Sequence, residues 1–376
     1  MLKRFRRWTA ASVPIGLLLL AGCGGLPALG TAGSSSSGTS TSTSTSTGSP
    51  TSSSTVPASR FAFVANSGSN NISEMTVDST TGALTQQTTV GTDGQPVGLA
   101  LNAAHNVLYV ANQSASTLTV YSVSNGTLSQ IQDVPTNAGP SGVVVSPDGS
   151  LAWVSTNAGL EAFTVSSTDG SLTAGSTAPA GSTPSGVFIN PNATFVYTIS
   201  AGGSSVTVFK VDSTTGAPTA VQTVTLNGQP SSLVVAPGGQ FLYVTESNLA
   251  VLAAYSINSS SGQLTALQSL NTSQDPAAMA IPNSGTRLLL ANAGPPDLES
   301  LPLDPTTGSA SPSTQATTIG GGPTEVVLDQ SQSFVYVVCS GSNAVFVYEI
   351  SPTTNGLTFL QSASVGTAPQ AMVLSQ

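Results

Sequence analysis

The sequence predicts an all-β fold, a seven-bladed β-propeller of four-stranded antiparallel blades with the last blade closed by the N- and C-terminal strands. Three observations lead there. A short apolar run recurs seven times from residue 61 onward at a period of about 45 residues. Each recurrence carries the same turn chemistry at the same offset. The two ends of the array are complementary fragments of one unit.

The seven runs are FAFVANSGSNN, VLYVANQSAST, LAWVSTNAG, FVYTISAGGSS, FLYVTESNLA, RLLLANAGPPD and FVYVVCSGSNA. Their third positions are Phe63, Tyr109, Trp153, Tyr197, Tyr243, Leu289 and Tyr336, separated by 46, 44, 44, 46, 46 and 47 residues. In the second cassette VLYVAN is followed by STLTVYSV, whose alternation suits a half-buried strand, and then by TLSQIQDV after a turn. GPSGVVVSP opens the next unit as its first strand. The turn before the outermost strand recurs as DSTTGAL, VSNGTL, SSTDGSL, DSTTGAP, NSSSGQL, DPTTGSA and SPTTNGL. Gly82, Gly126, Gly170, Gly216, Gly262, Gly308 and Gly356 supply backbone freedom there, and Asp78, Asp212 and Asp304 can bond the turn's own amides. No dense acidic loop surrounds these aspartates, so they read as structural rather than as calcium ligands.

The array begins at RFAFVAN, a second strand without a first, and finishes at APQAMVLSQ, a first strand with nothing after it. Sharing one blade between them closes a ring of seven and leaves only short sheet edges. A solenoid, the main rival, needs no such complementary ends.

Composition agrees. Only 6% of residues are charged and 39% are hydrophobic, with many Ser, Thr, Gly, Asn and Pro, which suits strands and turns and not helices. The formal net charge is -9, but Lys3, Arg4, Arg6 and Arg7 sit at the extreme N-terminus. Without them three basic residues face 16 acidic ones, a net charge of -13, which repels phosphate backbones and argues against a nucleic-acid partner.

Residues 1–22 read as an export signal: a cationic start and an apolar run too short to span a bilayer. Leu20-Ala21-Gly22-Cys23 resembles the bacterial lipobox, which implies cleavage before Cys23 and its lipidation, and the several acyl chains on one residue make a stable anchor. Gly24 lacks the aspartate that marks inner-membrane retention, so the resemblance favours the outer membrane where the cell has one. Residues 23–59 then hold the lipidated Cys23 and a disordered Ser/Thr-rich linker, and residues 60–376 the propeller. With Cys23 consumed by lipid, Cys339 has no disulfide partner and reads as a buried core residue in FVYVVCSGSN.

FVYVVCSGSNAVFVYEI and GPSGVVVSPDGSLAWVSTN resemble the YVTN-type repeats of the lactonase family of seven-bladed propellers, over about residues 60–376. That family's founding activity is 6-phosphogluconolactone hydrolysis, and its enzymatic members often carry an Arg-His pair just after the proline of each first strand. Here the corresponding pairs are Val97-Gly98, Ser141-Gly142, Ser185-Gly186, Ser231-Ser232, Ala277-Ala278, Thr324-Glu325 and Gln370-Ala371. The family's catalytic set therefore carries over to no residue. The only histidine, His105, falls in a turn, and by register Arg287 begins a second strand and Lys210 ends a third-position segment, both away from the channel.

Glu325 is the one catalytic candidate, a channel-wall carboxylate that could act as general base or as half of a cation site. The commoner alternative for such a lone group is a solvated charge at the channel mouth. Ser141 and Ser185 lack a nearby base, and no G-x-S-x-G elbow exists. Neither a cofactor motif nor a metal-ligand set is present in the sequence. The sequence thus points to an exported, lipid-anchored binding or scaffold module at the cell envelope, with an envelope protein, a glycan or a small molecule as partner and the membrane met through Cys23. The alternative is a lactonase acting on a neutral lactone. Fractionation checks the anchor: the full chain should sediment with membranes, and Cys23→Ser should release it to the soluble fraction.

Overall fold

The computed structural model describes residues 60–375; the export signal, Cys23 and the linker lie outside the described residues. Seven antiparallel sheets of four strands each are present. Blade 1 joins the strands Arg60–Asn66, Asn71–Val77 and Leu84–Gly91 to the C-terminal strand Pro369–Ser375, its innermost member. Blades 2 to 7 follow in chain order over residues 96–135, 142–178, 184–225, 230–271, 276–318 and 323–364. Each inner strand packs against the next around one axis, and Pro323–Leu328 meets Pro369–Ser375 to complete the circle. Phe61 pairs with Ser375, Phe63 with Val373 and Val64 with Met372 across the closure.

Each sheet lies between two others, so its inner half has no solvent face and reads as an unbroken apolar run. The second strands VLYVAN, LAWVST, FVYTIS and FVYVVC are buried at all six positions. The alternation in STLTVYSV does not translate into half-burial: Leu118 to Tyr121 are all buried, Thr119 included. That hydroxyl accepts from Asn112 Nδ2 at 2.8 Å and donates to Asp133 Oδ1 at 2.6 Å within its own blade. Outermost strands such as LTQQTTVG are mostly exposed. The apolar interior accordingly forms seven wedges, one per blade interface; Tyr197 and Val208 of blade 4, for example, share a cluster with Leu233 and Val244 of blade 5.

Two polar latches recur across these interfaces. The aromatic at the third position of a second strand reaches the outer hairpin of the next blade: Tyr109 Oη donates to Gly170 O at 3.0 Å, Trp153 Nε1 to Gly216 O at 2.8 Å, Tyr243 Oη to Gly308 O at 3.0 Å and Tyr336 Oη to Gly82 O at 3.0 Å. Blade 6 has Leu289 there, and Arg287 Nη1 donates instead to Asn355 O at 2.9 Å. The second latch sits further out, where a β-bulge in the fourth strand aims a glutamine sideways. Gln132, Gln222, Gln268 and Gln361 each bond both the N–H and the C=O of one residue in the adjacent blade, Leu172, Leu264, Ala310 and Leu84 respectively.

The hairpin glycines serve that packing. Gly82 has φ +69°, and a Cβ there would lie 2.5 Å from the Phe334 ring of blade 7. Gly356 departs from expectation: the left-handed residue of blade 7 is Asn355, at φ +58°, and its N–H bonds Ser351 O at 2.9 Å as that of Gly82 bonds Asp78 O at 2.8 Å. Asp78, Asp212 and Asp304 bond the turn amides as expected, Asp78 Oδ1 accepting from Thr80 and Thr81 at 2.8 and 2.9 Å. In blade 4 the hydroxyl of Tyr197 is buried without a partner. Urea unfolding should therefore separate two matched substitutions. Tyr109→Phe should cost about 1–2 kcal/mol by stranding the Gly170 carbonyl, whereas Tyr197→Phe should be neutral or stabilising.

Candidate functional site

The inner strands surround a channel with two cavities. The wide mouth, of about 1110 Å³, is built from the loops that lead into the inner strands and those that leave the second strands. The narrow mouth, of about 510 Å³, is lined by Arg60, Asp329 and apolar residues that include Ile281, Met279 and Leu374.

The wide mouth has an unusual backbone. The residue before the inner-strand proline is left-handed in six of seven blades, and four of these are not glycine: Gln95, Thr183, Asp275 and Ala368, at φ +44°, +49°, +58° and +48°. Such positions cost on the order of 1–3 kcal/mol each and persist where the surroundings enforce them. Here clamps from the facing loops enforce them: Gln113 N donates to Gln95 O at 2.9 Å, Ala293 N to Asp275 O at 2.9 Å and Ser67 N to Ala368 O at 3.1 Å. The rim is thereby held rigid.

Below the rim the small residues of the inner strands let neighbouring strands crowd together. A Cβ on Gly98 would sit 2.8 Å from Gly142 Cα and 3.2 Å from the Val143 amide nitrogen. The candidate serines are committed to the scaffold. Ser141 Oγ donates to Pro184 O at 3.0 Å or meets Ser155 Oγ at 2.8 Å, and Ser185 Oγ lies 3.4 Å from Ile199 O. Ser231 and Thr324 bridge in the same way, to Pro276 O at 2.5 Å and Pro369 O at 3.3 Å.

Glu325 occupies in blade 7 the register position of Gly98. It is not a solvated charge at the channel mouth. Its side chain is half-buried, lies in the seam between Pro323–Leu328 and Pro369–Ser375, borders both cavities and accepts the Met372 N–H at 2.5 Å through Oε2. Burial pushes its carboxyl up to about 7, against the opposing pull of that amide. Repeat alignment alone exposes this residue, as the one ionisable group in a ring of Gly, Ala and Ser. The left-handed rim and the donating amide of Met372 have no such signature.

Among the described residues no Arg, Lys or His lines the wide mouth, and Asp275 and Glu325 are its ionisable residues. Arg60 pairs with Asp329 at 3.0 Å beside the narrow mouth, and Lys210 is exposed on the third strand of blade 4. His105 stands in a turn as expected, half-buried, at φ +53°. Cys339 is buried as expected, its thiol pushed up to about 12 by burial. Among the described residues no group of three or more His, Cys, Asp and Glu side chains gathers as a metal site.

The family model described as lactonase, 7-bladed β-propeller matches residues 34–136, 124–233, 218–322 and 269–374. Among curated proteins none matches the sequence. Solved structures do resemble it. A Lactobacillus plantarum protein is 21% identical with a TM-score of 0.75, covering 85% of this chain and 99% of that one. The Pseudomonas aeruginosa periplasmic gluconolactonase is 19% identical with a TM-score of 0.74, covering 85% and 99%. Kuenenia stuttgartiensis hydrazine synthase is 18% identical with a TM-score of 0.59, covering 78% and 95%. At such identities the likeness is one of fold, and the fold serves unrelated chemistries.

The raised carboxyl of Glu325 has a thermodynamic signature. The folded state holds its proton more tightly than the unfolded one, so the stability tied to that proton is full below about pH 4.5 and lost as the pH rises to about 7. Urea unfolding at pH 5 and pH 8 should show Glu325→Gln gaining on the wild type with rising pH, by up to about 3 kcal/mol.

Proposed function

We propose a binding role for this chain, which belongs to the lactonase family of seven-bladed β-propellers: its wide mouth receives a neutral, hydroxyl-rich small molecule of the sugar or sugar-lactone class. The observation that carries this reading is the absence of any cationic side chain from the residues lining the mouth, combined with hydroxyl, amide and backbone groups on a rigid rim. A phosphorylated ligand needs Arg, Lys or a helix N-terminus to offset its charge. A neutral polyol needs directional donors and acceptors, which Ser67, Gln95, Gln113, Asn157 and Gln370 supply. We also propose that the propeller works at the cell envelope, exported and anchored through Cys23, a reading that rests on the N-terminal sequence.

Hydrolysis of a neutral lactone is the second reading, favoured by Glu325. A carboxyl titrating near 7 beside a water-accessible cavity suits a general base that removes a proton from water as it attacks the lactone carbonyl. The bond to Met372 competes with that role, and no side-chain cation is present in the mouth to stabilise the oxyanion.

Calorimetry with glucono-1,5-lactone, gluconate, glucose and 6-phosphogluconate, alongside a lactone-opening assay, tests both readings. Binding of a neutral member without turnover supports the binding role. Turnover that falls below about pH 7 and drops on the order of 100-fold or more in Glu325→Gln replaces it with the hydrolase. Preference for the phosphorylated ligand overturns both.

A further inference from the structure

Blade 6 departs from its siblings at one trio of polar side chains near the end of its second strand. In blades 1 and 2 the last residue of the second strand bonds two residues of the third and the trio is neutral, while blades 3 and 5 each place one buried glutamate in the corresponding trio, Glu161 and Glu246, whose Oε2 accepts a backbone N–H. Asn66 Nδ2 donates to Asn71 Oδ1 at 2.9 Å and Ser73 Oγ at 3.0 Å, and Asn112 Nδ2 to Thr117 Oγ1 at 3.2 Å and Thr119 Oγ1 at 2.8 Å. Blade 6 places Asn292, Asp297 and Glu299 there. The strand Pro296–Pro302 sets the two carboxylates two residues apart, hence on one face.

Their hydrogen bonds do not satisfy them. Asn292, fully buried, donates through Nδ2 to Asp297 Oδ1 at 2.8 Å, and Glu299, 8% exposed, accepts from Ser273 Oγ at 2.8 Å through Oε1. Glu299 Oε2 and Asn292 Oδ1 are buried without a partner. The amide oxygens of Asn66 and Asn112 share that condition, so the orphaned carboxylate oxygen of Glu299 is what sets blade 6 apart. No protein cation compensates. Among the described residues Arg60 is held by Asp329, Arg287 by Asn355 O, and Lys210 is exposed in blade 4. Asp297 is half-buried and Glu299 buried, and a buried carboxylate oxygen without a partner, beside a second carboxylate and with no counter-charge, is disfavoured unless an ion joins it.

We propose that Asp297, Glu299 and the Asn292 amide oxygen form a site for a hard divalent cation, Ca²⁺, completed by backbone carbonyls and water. All three groups offer oxygen, the donor this ion prefers, and two carboxylates correspond to weak binding, with a dissociation constant on the order of 10⁻⁴ to 10⁻³ M. The other facing acidic pair, Asp93 and Asp133, makes a contrast: the oxygens of Asp133 are covered by Thr119 and Gln130, and Asp93 is exposed. Occupancy would act on the ligand mouth, because Ser273 belongs to the segment that ends at the rim residue Asp275.

The test is thermal unfolding and calorimetry of the full chain, stripped with chelator and titrated with CaCl₂. A rise in Tm of a few degrees at millimolar Ca²⁺, lost in Asp297→Asn and kept in Asp133→Asn, is the expected result. The double variant Asp297→Asn with Glu299→Ser writes the neutral trio of blade 1 into blade 6 and should melt independently of Ca²⁺ near the temperature of the loaded wild type. The proposal is overturned if Ca²⁺ leaves the wild-type Tm unchanged or if the Ca²⁺ effect survives in the double variant.

Discussion

The ring depends on how one blade grips the outer hairpin of the next. A left-handed residue at the hairpin turns its carbonyl toward the preceding blade, and an aromatic hydroxyl or indole N–H buried at the heart of that blade captures it. The bond itself is of ordinary strength, near 1 kcal/mol net. Its effect is geometric, since an apolar wedge between two twisted sheets does not by itself choose an angle and a directional bond at a fixed radius does. Bulged glutamines repeat the restraint further from the axis. Blade angle sets the number of blades, and that number sets the bore. Arg287 belongs to this system: a rare cation in a cation-poor chain is spent on the one interface whose aromatic has become Leu289.

Most of this architecture was legible because it is written seven times. Period, turn glycines and complementary ends define the ring without any knowledge of contacts, and single departures stand out against six copies. The limits are equally physical. Gly356 was misaligned by one residue because Asn-Gly offers two candidates for the left-handed position and only the hydrogen bond from Asn355 to Ser351 decides. Alternation in STLTVYSV misled because exposure depends on the neighbouring blade, not on the strand. The bidentate glutamines were missed for the same reason, their partners lying about 40 residues away or across the closure.

The site was less legible than the fold. Glu325 could be singled out from the repeat register, yet its surroundings could not, because its burial is created by the approach of two inner strands of neighbouring blades, Pro323–Leu328 and Pro369–Ser375. Its carboxyl stands where the other blades carry glycine, alanine or serine, and it satisfies an amide on the free edge of the closing strand. Scaffold and chemistry therefore compete for the same oxygen atoms. The wide mouth is simpler: a frame of left-handed backbone positions carrying mostly uncharged polar groups.

Closure by the strand Pro369–Ser375 has a kinetic consequence. Phe61 finds its partner Ser375 only after every intervening blade has been made, so the earliest segment of the ring to emerge is the last to be completed. Until then one sheet lacks its inner strand and two wedges of the interior stand open to water. Such a topology has a very high contact order and matures slowly, with exposed edges that invite mispairing along the way. Once closed, the same feature makes the described ring a hoop: no blade can peel away singly, and opening requires the strands Arg60–Asn66 and Pro369–Ser375 to part first.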